Sequence, residues 1–121
     1  MKSFPIRSAI VLGALAFAVA AGEAQAHARL VSATPGPNSS VSPTSTITLH
    51  FSEELAPKFS GAEIMKATGP TVASTSTVKD GKVMVLTTST VLARGTYMVM
   101  WHAVASDDGH KTKDSFNFTV H

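Results

Sequence analysis

The chain has 121 residues, of which 44% are hydrophobic and 15% charged, with a formal net charge of +2 and no cysteine. That length allows one small domain. The missing thiols exclude Cys-based zinc sites, blue-copper sites, iron–sulfur clusters and cysteine nucleophiles, and no basic cluster provides the footprint of a nucleic-acid partner.

The first element stands outside that domain. Met1-Lys2-Ser3-Phe4-Pro5-Ile6-Arg7 carries two positive charges, an apolar run follows from Ala9 to Ala21, and Ala24-Gln25-Ala26 places small residues at both positions a signal peptidase recognises. This order predicts a secretory signal peptide over residues 1–26, cleaved after Ala26. The alternative is an uncleaved anchor, and the run is short for a bilayer. The mature chain then covers residues 27–121, is exported to a bacterial periplasm, and has no stable membrane insertion. Lys2, Arg7 and Glu23 leave with the leader, so the ten Lys+Arg and eight Asp+Glu of the whole chain become eight against seven. The mature domain is nearly neutral.

Short alternating runs follow in order. A soft strand candidate lies at Arg29–Ala33. Thr34 to Pro43, "TPGPNSSVSP", cannot form a helix and links it to the next strand, where Ile47, Leu49 and Phe51 alternate with Thr48, His50 and Ser52. Ala62–Lys66 and Thr71–Thr77 are softer candidates. Asp80-Gly81 in "KDGK" is a hairpin signal, followed by alternation over Val83–Leu86. Tyr97, Val99, Trp101 and Ala103 alternate with Met98, Met100, His102 and Val104. Ser106 to Asp114, "SDDGHKTKD", is a polar loop leading to a last strand at Phe116, Phe118 and Val120. Period-two alternation of β-branched and aromatic residues predicts strands, about seven of them, in an all-β sandwich. Leu92, Gly95, Tyr97, Val99 and Trp101 form L-x-x-G-x-Y-x-V-x-W, similar to the tyrosine corner of immunoglobulin-like sandwiches.

Little in the chain suits catalysis. There is no G-x-S-x-G elbow, phosphate loop or H-E-x-x-H. Glu53 and Glu54 are adjacent, point to opposite sides of an extended chain, and make a poor acid/base pair. The five histidines are His27, His50, His102, His110 and His121. His27 differs from the rest, because cleavage after Ala26 would give it a free α-amine beside its ring Nδ1. Those two nitrogens close a six-membered chelate on a metal, and an amine of reference pKa about 7.7 yields its proton to a metal near neutral pH. In the uncut chain the same nitrogen is an amide and a far poorer ligand. Asp108-Gly109-His110 is the second cluster, where Gly109 lets carboxylate and imidazole turn toward one point. Two imidazoles, an amine and a carboxylate make a mixed N/O set suited to Cu(II), with Zn(II) as the competitor.

"HARLVSATP" after the cut, "ITLHFSEEL" (Ile47 to Leu55), "LARGTYMVMWHAVASDDGH" (Leu92 to His110) and "SFNFTV" (Ser115 to Val120) together resemble the CopC-type periplasmic copper-binding proteins. The resemblance implies a seven-strand immunoglobulin-like Greek-key β-sandwich that binds one Cu(II) per mature chain through an N-terminal histidine brace. The ligands it implies are His27, Asp108 and His110. Glu53 falls where the family often has an acidic residue close to the copper, and Trp101 at its tryptophan near the site. The methionine-rich loop that gives some members a Cu(I) site is not matched, since "LAPKFSGAEIMKATG" holds only Met65. Asp114 stands at a usual family glycine, in a turn whose left-handed backbone Asp tolerates.

These features together imply a non-enzymatic Cu(II) carrier or buffer for copper homeostasis or resistance, with a CopD-like inner-membrane partner. A histidine-brace copper oxygenase is one alternative, against which stand the small size of the domain and the four-donor set. An immunoglobulin-like adhesion or assembly module with an incidental His27 is another, since such sandwiches serve many functions. Met98, Met100 and His102 share one strand face and could take Cu(I), although methionine is more often adaptable packing. Met84 is expected to pack, His50 to be exposed, and His121 to be solvated.

Overall fold

The computed structural model describes residues 27–121. The predicted signal peptide, residues 1–26, lies outside the described residues. Nine strands follow in order: β1 (Leu30–Thr34), β2 (Ser40–Val41), β3 (Thr46–Phe51), β4 (Gly61–Lys66), β5 (Thr71–Val72), β6 (Ser74–Val78), β7 (Val83–Thr88), β8 (Gly95–Val104) and β9 (Lys111–Val120). Seven of these have five residues or more, in agreement with the seven expected; β2 and β5 are two-residue additions. They form two sheets, ordered β1-β3-β7-β6 and β2-β9-β8-β4-β5. All pairs are antiparallel except β2 with β9.

The alternation that predicts strands also builds the core. Ile47, Leu49 and Phe51 of β3 face Tyr97, Val99 and Trp101 of β8 across the sandwich, joined by Ile64, Met84, Leu86, Phe118 and Val120. Burying each large aliphatic side chain contributes roughly 1.5–3 kcal/mol. The Phe51 and Trp101 rings meet edge to face, with centroids 5.1 Å apart. The tyrosine corner forms as expected, with the Tyr97 hydroxyl donating to the Ala93 carbonyl at 2.6 Å. Gly81 takes φ +61° in the β6–β7 turn, the left-handed backbone its hairpin signal implied. Met84 is buried, and His50 and His121 are exposed.

Four local expectations are corrected. Thr71–Thr77 is two strands in different sheets: Val72 pairs with Ile64, whereas Ser74 pairs with Thr88. The chain changes sheets at Ala73, which short-range alternation does not register. The last polar loop is shorter than "SDDGHKTKD", because Lys111–Asp114 already pair with β8. Exposed charged residues there hide the strand from a pattern built on apolar positions. Asp114 therefore occupies no left-handed turn; it is a β9 residue opposite Trp101. The segment Thr34 to Pro43, expected only as a link, contributes β2.

One irregularity matters for the site. The register of β1 on β3 shifts between Leu30 and Ser32, leaving Val31 as an extra, exposed residue. Such a bulge bends a strand and re-aims what precedes it. Here what precedes it is the segment His27–Arg29.

Candidate metal centre

The arm His27–Arg29 is held at three points. Ala28 is fully buried in the core cluster, and its carbonyl accepts a hydrogen bond from Thr112 Oγ1 at 2.8 Å. The Arg29 N–H donates to Ser52 Oγ at 2.9 Å, and the Ser52 N–H donates back to the Arg29 carbonyl at 2.9 Å. Ser52 Oγ also donates, at 3.4 Å, to the His27 carbonyl. The arm is thus tied to the end of β3 through Ser52 and to the start of β9 through Thr112. A buried side chain with satisfied backbone groups on either side holds such a segment in place.

The second part is the connection Ala105–His110. The Ala105 N–H donates to the His110 carbonyl at 3.0 Å, and the Gly109 N–H to the Ala105 carbonyl at 2.9 Å. Gly109 makes the turn at φ +71°, where a side chain would be strained. The Ser106 N–H donates to the Glu54 carbonyl, and Leu55 bridges to Ala105, so the loop rests on the segment after β3.

Inside this loop Asp108 engages His110 twice. Its Oδ1 accepts the His110 backbone N–H at 3.0 Å, and its Oδ2 lies 2.7 Å from His110 Nδ1. The backbone N–H first, and then the ring contact, hold the Asp108 carboxyl below the usual carboxylate range. An ionised carboxylate only accepts, so this contact favours a proton on Nδ1, and in the neutral ring that tautomer keeps the lone pair on Nε2. A carboxylate fixing one ring nitrogen while the other faces a ligand is a common support for metal-binding histidines.

The two parts meet. The His27 and His110 rings lie with centroids 4.4 Å apart, inclined at 69°. His27, His110 and Asp108 therefore run in sequence, ring to ring and ring to carboxylate. Among the described residues no three His, Cys, Asp or Glu side chains already surround a common point. Asp108 Oδ2 is instead engaged with His110 Nδ1. The donor types fit a divalent ion that favours nitrogen and oxygen.

Glu53 is half-buried between Ser52, which holds the arm, and Glu54, which holds the loop. The side-chain hydrogen bonds of the loop run between Asp108 and His110 and do not include it. Trp101 is 7% exposed and lines a groove with Ala28, Arg29 and Leu30, beside the arm. Met98, Met100 and His102 lie on the outer face of β8, opposite the buried Tyr97, Val99 and Trp101. Ser52 and Thr112 were not among the residues the sequence singled out. A hydroxyl in a strand carries no local signal of a partner such as Ala28, which lies at the other end of the chain from Thr112.

The comparisons agree with this architecture. The CopC domain model matches residues 30–121, beginning just after the arm. The chain is 41% identical over 105 residues to copper resistance protein C of Pseudomonas syringae pv. tomato, covering 80% of this chain and 82% of that protein. It is 38% identical over 124 residues to copper resistance protein C of Escherichia coli, covering 95% and 97%. Among solved structures it is similar to PcoC, a methionine-rich copper resistance protein from Escherichia coli, with a TM-score of 0.73 and 37% identity over 79% of this chain and 100% of that one. It is also similar to CopC from Methylosinus trichosporium OB3b, with a TM-score of 0.71 and 28% identity over 78% and 93%. With its β-sandwich, and with a family match spanning every strand, the chain belongs to the CopC family of copper resistance proteins.

Proposed function

We propose that this protein is a periplasmic Cu(II) carrier or buffer serving copper homeostasis or resistance, and that its site is completed by cleavage after Ala26. The observation that carries the proposal is the placement of the His27 ring 4.4 Å from that of His110, centroid to centroid. Cleavage turns the His27 amide into an amine, which with Nδ1 supplies two nitrogens. His110 supplies a third through its free ring nitrogen. Asp108 retains lone pairs after its two hydrogen bonds, so it can bind the ion and still hold the turn through Oδ1. Copper stands at the top of the divalent affinity order for such donors. Glu53 acts through water or hydrogen bonds at the edge of the site, and Trp101 beside the arm reports on the bound ion.

A site filled by four protein donors suits storage and transfer better than oxygen activation, which requires an open coordination position. No helix among the described residues is long and apolar enough to cross a membrane. In this proposal passage across the inner membrane belongs to a CopD-like partner.

Mass spectrometry of the exported protein, under native conditions with and without added Cu(II), tests the proposal. The expected result is a chain beginning at His27 that takes up one copper ion. A different N-terminus, or no copper retained, would overturn it.

A further inference from the structure

β8 carries two methionines where a surface strand ordinarily carries polar residues. Met98 and Met100 lie on its outer face and are half-buried, although that face belongs to neither the core nor the proposed copper centre. The register brings a third beside them, because Met65 of β4 is directly opposite Met98. Directly opposed residues have Cβ atoms about 4.5–5.5 Å apart, and diagonal neighbours about 7–8 Å, within reach of long side chains. Met65 is thus opposite Met98 and diagonal to Met100. With three rotatable bonds each, the thioethers can turn to one point.

We infer that the outer face of β4 and β8 holds a soft monovalent cation of the Cu(I) class between the thioethers of Met65, Met98 and Met100. Thioether sulfur selects such ions over the divalent ions favoured by nitrogen and oxygen. The electrostatic setting agrees. The residues directly opposite the three are Thr71, Asn117, Ser115 and Glu63, none of them cationic, while Lys113, opposite His102, is diagonal to Met100. Glu63 is exposed, sits opposite Met100, and adds negative charge at the rim. His102, next along the same face, does not belong to this set. Its ring lies over Gly61, where a built Cβ would come within 3.1 Å of both His102 Cε1 and Ser76 Oγ. The site uses no residue of the His27–His110 centre, so either can fail while the other stands.

The test is methionine-methyl NMR of the exported protein titrated with Ag(I), a redox-inert soft cation, in chloride-free buffer. The expected result is that the Met65, Met98 and Met100 methyl signals shift together and saturate at one equivalent. Met84, fully buried in the core, keeps its position and reports an intact fold. In Met98→Leu/Met100→Leu, which conserves volume, the Met65 response should be lost while Met84 is unchanged. Met65→Leu, altered on the neighbouring strand, should weaken the response of Met98 and Met100 at least tenfold in Ag(I) concentration. Absence of any shift at one equivalent, a shift confined to one methionine, or a Met65 response surviving in the double variant would overturn the inference.

Discussion

Thr112 donates its hydroxyl hydrogen to the carbonyl of Ala28 across 2.8 Å, tying the second residue of β9 to the arm that presents His27. The accepting carbonyl belongs to a fully buried residue, and a buried acceptor left without its partner costs about 1–3 kcal/mol.

Thr112→Val keeps the shape of the side chain and removes that donor. Cu(II) affinity of the exported protein should fall about five- to tenfold, corresponding to the net worth of one hydrogen bond. The ligand set should persist, with an unchanged electron paramagnetic resonance signature at saturation. Thr112→Ser retains the hydroxyl and should restore most of the affinity. Competition titration against a chelator of known strength measures all three, and equal affinity in Thr112→Val would remove Thr112 from the positioning role.

In the proposed mature chain, adding one alanine before His27 would leave every side chain in place and turn the proposed terminal amine into an amide. Cu(II) binding should weaken by orders of magnitude, because one nitrogen of the chelate is lost. Thermal stability without metal should be unchanged, since the three ties on the arm lie after the added residue. Undiminished affinity in the extended chain would rule out the N-terminal chelate.

Asp108 should titrate below the usual carboxylate range in the metal-free protein, because the His110 N–H and ring favour its ionised form. A depressed folded-state pKa stabilises the loop above the unfolded value of about 3.9. That contribution is lost as pH falls through the lower folded-state value. Carboxyl-carbon NMR of Asp108 against pH gives the midpoint, and the His110 ring signals should move with it. A midpoint at or above the ordinary value would mean that the contact does not persist in solution.

Tyr97→Phe removes the hydroxyl that donates to the Ala93 carbonyl. The expected loss of stability is about 1–2 kcal/mol in urea unfolding. Copper stoichiometry should be untouched, since the corner belongs to the approach to β8 and the site to its far end. A loss of copper binding in the folded variant would show that the corner and the site are coupled.

Much of the sandwich was legible locally. The alternations at Ile47–Phe51 and Tyr97–Ala103 mark buried faces because successive residues of a strand point to opposite sides. Asp80-Gly81 marks a hairpin because Gly81 can take a positive φ. Strand boundaries failed where the chemistry was not periodic. Lys111–Asp114 continue β9 with exposed polar residues, and Ala73 divides a uniform-looking run between two sheets.

By itself the sequence determined the donor types at the proposed centre and the bond whose cleavage would create the amine. It also determined that Asp108 could reach His110, since both stand on one glycine turn. Only the tertiary structure decided that the His27 ring meets that of His110. That depends on the Val31 bulge, the burial of Ala28, and the hydroxyls of Ser52 and Thr112. Likewise, Met98 and Met100 share a face by strand periodicity, but Met65 joins them only through the pairing of β4 with β8. The physical reason is the same in both cases. Side-chain periodicity is set by neighbouring residues, whereas the register between distant segments is set by which apolar surfaces and backbone groups satisfy one another on folding.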